Sequence, residues 1–184
     1  YSKSTIMNFR YFFVILMAYM ISSCSGSEYD PVPKGAELLA PFKTNLKTAL
    51  INGMAGGPAN AIAVCKTEAP RIAAELSVDD VVMGRSSHKL RSHENVAPAW
   101  AAPIIESFAA DGELPIPTGV ELGGGRYGYV EPIMTQPLCL SCHGSSLHPD
   151  IAAKISELYP NDEATGFGEG DFRGVFWVEF ATGR

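Results

Sequence analysis

The sequence predicts an α+β fold with an antiparallel sheet, built as a single domain. Two observations predict this class. Apolar residues at helical spacing dominate the first half of the chain, and strand-like runs separated by helical and loop segments dominate the second half. A third observation limits the domain count, because 184 residues are enough for one substantial core and short for two.

Residues 1–23 are predicted to be a signal peptide outside the fold. A basic start at Met7 precedes an apolar run from Tyr11 to Ile21, which is shorter than the roughly 20 residues of a membrane-spanning helix. Residues 1–6 lie upstream of that methionine. The run ends in Ile21-Ser22-Ser23-Cys24, which resembles a bacterial lipobox and predicts lipidation of Cys24. The alternative is ordinary cleavage nearby, with Cys24 a free thiol.

The first predicted elements of the mature chain are two helices. A tether over residues 24–33 leads into a domain over residues 34–184, and the domain opens with an amphipathic helix from Lys34 to Met54. Glycines and Pro58 end that helix and begin the next, which runs to about Leu76. Its apolar stripe places Cys65 inward, and Pro70 is expected to kink or split it.

The remaining elements alternate between strands and helices. Strands are predicted at residues 81–85, 126–135 and 174–180, and helices at residues 98–109 and 150–158. Residues 111–125 and 161–174 are predicted to be loops, the first with a turn at three consecutive glycines.

Cys139-Leu140-Ser141-Cys142-His143 has the C-x-x-C-H pattern of c-type haem attachment. Two cysteines three apart lie on one side of a helical turn, so each sulfur can bond a haem vinyl group while His143 ligates the iron. A zinc site needs four ligands and only one cysteine pair is present; a disulfide would leave His143 unexplained. The motif predicts one covalently attached haem c.

Composition also limits the partners. The formal net charge is −6, from 14 basic and 20 acidic side chains, which argues against nucleic acid because phosphate binding needs a basic surface.

The second axial ligand is open from the residues alone. The candidates are His88, His93, His148, six methionines and Cys65. Histidine and methionine are the commoner ligands in cytochromes c, and a cysteine on an apolar helix stripe is usually a small core residue.

Several longer stretches resemble a family of PAS-like c-type haem domains, long described as a domain of unknown function and found in cyanobacteria and proteobacteria. The matching stretches together span roughly residues 35–180. In the first half they are residues 61–70, 84–87 and 89–91, and then Asn95, Ala97, Pro98 and Trp100. In the second half they are residues 137–144 and 159–167, and then Gly170, Asp171, Arg173 and Gly174. The resemblance implies a PAS-like antiparallel sheet with N-terminal and flanking helices.

The resemblance also implies that haem iron is held between the motif histidine, His143, and a cysteine of the N-terminal helical region, which by position is Cys65. His88 stands where relatives often have an apolar residue, so it is a rival ligand. A thiolate ligand stabilises ferric iron and predicts a low potential.

A basic stretch precedes the motif along the chain. Arg85, Lys89 and Arg91 are expected to pair with the haem propionates, because guanidinium groups suit carboxylates. The alternative is a solvated polar face.

Together these features predict a periplasmic lipoprotein, bound to the membrane only through Cys24, that acts in redox sensing or low-potential electron transfer rather than as an enzyme. Its partner would be a redox or signalling protein. The alternatives are a haem enzyme, such as a peroxidase or small-molecule reductase, and a gas-binding sensor whose sixth ligand is displaced.

Overall fold

A computed structural model describes residues 29–110 and 114–182 of the chain. Within these residues five α-helices surround one four-stranded sheet, so the predicted α+β single-domain fold is confirmed. The helices are α1 (Val32–Ala55), α2 (Pro58–Leu76), α3 (Ala102–Ala110), α4 (Leu140–His143) and α5 (Pro149–Leu158); the strands are β1 (Val82–Ser86), β2 (Thr118–Gly123), β3 (Arg126–Met134) and β4 (Phe172–Ala181). The predicted signal peptide and Cys24 lie outside the described residues.

The sheet is antiparallel throughout, in the order β1-β4-β3-β2. Its last strand in sequence, β4, lies between β1 and β3, with Gly84 opposite Trp177 and Tyr129 opposite Val178. This arrangement brings residues from both halves of the chain to one sheet.

The prediction of a loop over residues 111–125 is wrong for β2. This strand is at the sheet edge, is mostly half-exposed and contains glycine at positions 119 and 123, so its own sequence carries little strand signal. Its pairing with β3 comes from the turn at Gly123, Gly124 and Gly125, where all three residues have positive φ. The hairpin, rather than local propensity, makes this segment a strand.

The helices begin and end close to their predicted positions, with two differences. Proline 70 does not split α2, which continues as a single helix to Leu76. The third helix begins at Ala102 and not near Pro98, because Pro98 to Ala101 form a preceding turn in which Ala101 N–H donates to Pro98 O at 2.9 Å. Residues 29–110 and 114–182 include no helix long and apolar enough to cross a membrane.

The main core lies between the sheet and the pair α1 and α2. It is formed by buried apolar side chains, namely Leu39, Phe42, Ile72, Met83, Tyr129, Val178 and Phe180. At Gly35 of α1 an added Cβ would overlap the Tyr129 ring, so glycine lets the helix approach the sheet closely.

Two smaller clusters attach the remaining helices. Ile105 of α3 packs on Val130 and Val175 of the sheet. Ile62 of α2 packs on Ile151 and Ile155 of α5, and Cys142 lies against this cluster. The second cluster therefore holds the cysteine motif beside α2, the helix that carries Cys65.

Candidate functional site

The cysteine motif lies on two consecutive helical turns. A 3₁₀ turn covers Pro137–Cys139 and α4 follows directly over Leu140–His143. Pro137 presets the first turn, and Gly144 ends the helix in an extended conformation. A Cβ at Gly144 would lie 2.6 Å from Leu140 O, so the abrupt end of the helix requires glycine. Cys139, Cys142 and His143 are all half-buried.

His143 is oriented by a hydrogen bond from its ring to the backbone. Its Nδ1 lies 2.7 Å from Ala164 O, and because a carbonyl oxygen can only accept, Nδ1 carries the proton. Nε2 is therefore the nitrogen with a free lone pair. Burial, followed by the charges of Arg173 and Arg91, lowers the pKa of His143 to about 3, so the ring is neutral at ordinary pH. A neutral, oriented imidazole is the form that binds a metal.

The segment after α5 fixes the end of the motif. Phe167 N–H donates to His143 O at 3.0 Å, and Gly166 N–H donates to Gly144 O at 3.1 Å. Residues 164–167 are therefore bonded to the end of the motif by two backbone hydrogen bonds and by the hydrogen bond from the His143 ring to Ala164 O.

Cys65 lines the larger of the two cavities described, which has a volume of about 490 Å³. The wall includes Met83 and His93 as well, so it carries three of the candidate ligands named from the sequence. Burial raises the pKa of the Cys65 thiol, against the opposing effect of Arg85 and Arg91. Cys139, Cys142 and His143 do not line this cavity, but α2 contacts α4, and Arg91 lies both on the cavity wall and against the motif.

The other two histidine candidates lie elsewhere. His148 is at the start of α5, where its Nδ1 accepts from Asp150 N–H. His88 lines the second cavity, and its ring stacks on Phe172 and meets Phe167 edge-on. The Phe167 ring also makes a T-shaped contact with His143, so it contacts both histidines.

The Arg91 guanidinium binds protein acceptors. It forms a salt bridge with Asp162, with side chains only 13% and 8% exposed, through Nε to Oδ1 at 3.0 Å and Nη2 to Oδ2 at 3.2 Å. Its Nη2 also donates to Cys142 O at 2.6 Å and to Ala164 O at 3.2 Å. Nη1 has no hydrogen bond to any of the described residues, and it is the group that remains for the predicted propionate contact.

The positive charge at the site exceeds the negative charge around it. Arg85 lines the cavity without a hydrogen bond or ion pair to any described residue, and Lys89 lies over the Phe167 ring. Arg173 lies half-buried beside them, and desolvation together with the charges of Arg85 and Arg91 lowers its pKa to about 10. Its Nε has no partner among residues 29–110 and 114–182.

The residues therefore fit a haem. Two thiols three residues apart, a neutral histidine with a free Nε2, and a surplus of arginine charge match two vinyl groups, one iron and two propionates. In the described part of the chain, no three His, Cys, Asp or Glu side chains form a cluster that could hold a metal ion.

Sequence reasoning missed three participants. Arg173 was noted only as part of a family resemblance, Met83 only as one of six methionines, and Ala164 acts through its backbone carbonyl. Met83 lies in a predicted strand and Arg173 at the end of the predicted loop over residues 161–174, so both side chains are visible in the sequence without a role being assigned to them. A backbone acceptor leaves no such signal.

Comparison with known proteins agrees with the fold. The crystal structure of the cyanobacterial heme-protein Tll0287 is similar to this chain, with a TM-score of 0.58 at 22% sequence identity. The match covers 85% of this chain and 99% of that one. No curated protein matches the chain significantly. The sequence model of the Tll0287-like family, described as Tll0287, matches residues 14–181, and the chain therefore belongs to the Tll0287-like family.

Proposed function

We propose that this chain binds one haem c covalently and acts in redox sensing or low-potential electron transfer. The observation that carries the proposal is the hydrogen bond from His143 Nδ1 to Ala164 O, which fixes the tautomer and leaves Nε2 for iron. It coincides with the C-x-x-C-H motif on the same turn. The cyanobacterial protein of similar fold is a heme-protein, which supports the same reading.

Each residue has a distinct part in the proposed site. Cys139 and Cys142 would form the thioether links to haem, and His143 and Cys65 would hold the iron. Arg85 and Lys89 would bind the propionates together with Arg91, which lines the same cavity as Arg85. A bound haem supplies one-electron exchange between ferric and ferrous iron, and a thiolate ligand favours the ferric state.

We also propose that the protein is periplasmic, anchored by a lipid at Cys24, and that a redox or signalling protein is its partner. These proposals rest on the N-terminal apolar run and lipobox-like sequence. Mass spectrometry of the membrane fraction tests the anchor: a diacylglyceryl-cysteine at Cys24 supports it, and an unmodified N-terminus elsewhere contradicts it.

The experiment that tests the site compares Cys65→Ala with Met83→Leu. Both are sulfur-containing residues that line the same cavity. Met83 is also a core residue, and its replacement by leucine approximately conserves side-chain volume. We expect low-spin, thiolate-ligated ferric haem in the paramagnetic-resonance spectrum of the wild type and of Met83→Leu, and loss of that signal in Cys65→Ala. If Cys65→Ala retains the wild-type spectrum, the Cys65 ligand is wrong. A wild-type low-spin spectrum without the thiolate signature that is lost only in Met83→Leu points to methionine.

The functional class is tested with the same preparation. A six-coordinate haem whose reduced form does not bind carbon monoxide supports electron transfer or redox sensing. Rapid binding of carbon monoxide to the reduced protein would support a gas sensor, and turnover of peroxide at a rate above that of free haem would support an enzyme.

A further inference from the structure

We propose that Arg91 is a positioning residue that sets the strength of the hydrogen bond between His143 and Ala164, and through it the electron donation of His143 to bound iron. The inference rests on the proposed haem site. It assigns to Arg91 a role other than contact with a propionate. The argument starts from one hydrogen-bond acceptor that Arg91 and His143 share.

That acceptor is the carbonyl oxygen of Ala164. His143 Nδ1 donates to it at 2.7 Å, and Arg91 Nη2 donates to it at 3.2 Å. A carbonyl oxygen has two lone pairs, so both donors can bind at once. The axial histidine candidate and a cation therefore compete for electron density on the same atom.

The guanidinium is held at this position by its other contacts. Asp162 accepts from Nε and Nη2, and Cys142 O accepts from Nη2 at 2.6 Å. Nη2 has two hydrogens and three acceptors, so its bonds are shared among them. Asp162 also accepts from Ala164 N–H at 2.9 Å, so both backbone groups of Ala164 are bonded to the Arg91–Asp162 pair.

The effect on His143 follows from simple electrostatics. A carbonyl oxygen polarised by a cation is a weaker acceptor for a second donor, so Arg91 weakens the bond from Nδ1–H. A strong bond at Nδ1 gives the ring more imidazolate character and raises its basicity as a ligand. By weakening that bond, Arg91 reduces donation to iron and favours the ferrous state.

The test removes the cation without changing the net charge. In Arg91→Gln/Asp162→Asn one positive and one negative charge are lost together, and Asn can still accept from Ala164 N–H. We expect the ferric-to-ferrous ratio at a fixed ambient potential to rise about tenfold, which is about 59 mV for one electron. We also expect the Nδ1 proton resonance of His143 to move to lower field as its hydrogen bond strengthens.

The control is a second arginine–carboxylate pair at the other end of the sheet. Arg126 Nη2 lies 2.8 Å from Glu179 Oε1, and Arg126→Gln/Glu179→Asn also leaves the net charge unchanged. We expect neither measurement to change in this variant. The inference is overturned if the control shifts as much as the Arg91 pair, or if the His143 resonance and the ratio stay at their wild-type values.

Failure of the variant to fold and absence of haem from the wild type can each be distinguished from failure of the inference. If the Arg91 pair variant does not fold, Arg91→Lys decides on the same readouts, because lysine keeps a charge for Asp162 but lacks the Nη2 group that donates to Ala164 O. A smaller shift in the same directions supports the inference and no shift overturns it. If wild-type protein carries no attached haem, the proposed function fails, while the His143 resonance of the haem-free chain still tests the part of Arg91.

Discussion

The salt bridge between Arg91 and Asp162 predicts a large loss of stability on removal of one partner. Both side chains are nearly buried, at 13% and 8% exposed, and Asp162 accepts three hydrogen bonds, two from Arg91 and one from Ala164 N–H. Asp162→Ala leaves a buried guanidinium without its counter-charge, which costs about 3–5 kcal/mol. For a chain of this size that is a fall of roughly 6–20 °C in Tm.

The assay is urea unfolding followed by circular dichroism, with Glu75→Ala as the matched control. Glu75 also pairs with an arginine, Arg71, but with side chains 60% and 52% exposed, so its removal is expected to cost less than about 1 kcal/mol. Asp162→Asn should fall between the two, because it keeps the acceptor for Ala164 N–H. The reasoning is refuted if Asp162→Ala is no more destabilising than Glu75→Ala.

Three other perturbations give measurable outcomes. Gly35→Ala should lower the free energy of unfolding by about 1–3 kcal/mol, because its Cβ would overlap the buried Tyr129 ring; an unchanged denaturation midpoint contradicts this. Gly174→Ala should be more damaging than Gly35→Ala, since φ is 149° and the Cβ would overlap Ser86 O in the adjacent strand; equal midpoints for the two variants would be evidence against it. Burial, with the neighbouring Glu131 carboxylate, raises the pKa of Tyr129 to about 12, so the fold favours the neutral phenol. Its contribution to stability should be complete below pH 10 and lost as the pH rises from about 10 to about 12, and Tyr129→Phe should abolish that part of the pH dependence.

Local pattern was sufficient for most of the fold. The second helix was predicted at its observed bounds, Pro58–Leu76, because a glycine-rich break and a proline mark its start. Strands β3 and β4 were predicted within a few residues because each carries bulky apolar or aromatic side chains. Strand β2 was missed because its stability comes from a partner and a turn, which periodicity does not record.

The candidate site also has parts that the sequence predicts and parts that it does not. A contiguous motif such as residues 139–143 can be recognised directly from the sequence. The hydrogen bond from His143 to Ala164 cannot, because it joins residues 21 apart through a backbone atom. Arg91 is predicted from the sequence to pair with a haem propionate, whereas its observed partner Asp162 is 71 residues away. Contacts of this kind depend on the tertiary path of the loop and have no sequence signature.

The interior position of the last strand has a consequence for the order of assembly. Strands β1 and β3 both pair with β4, so the sheet has a gap at its centre until residues 172–181 arrive. The same strand brings Trp177 to the cavity wall and the half-buried Arg173 close to Arg85 and Arg91. Residues 139–143 precede β4, so during vectorial synthesis the motif emerges while this wall is still open. The strand that follows the motif in the chain therefore completes both the centre of the sheet and one wall of the cavity that Cys65 lines.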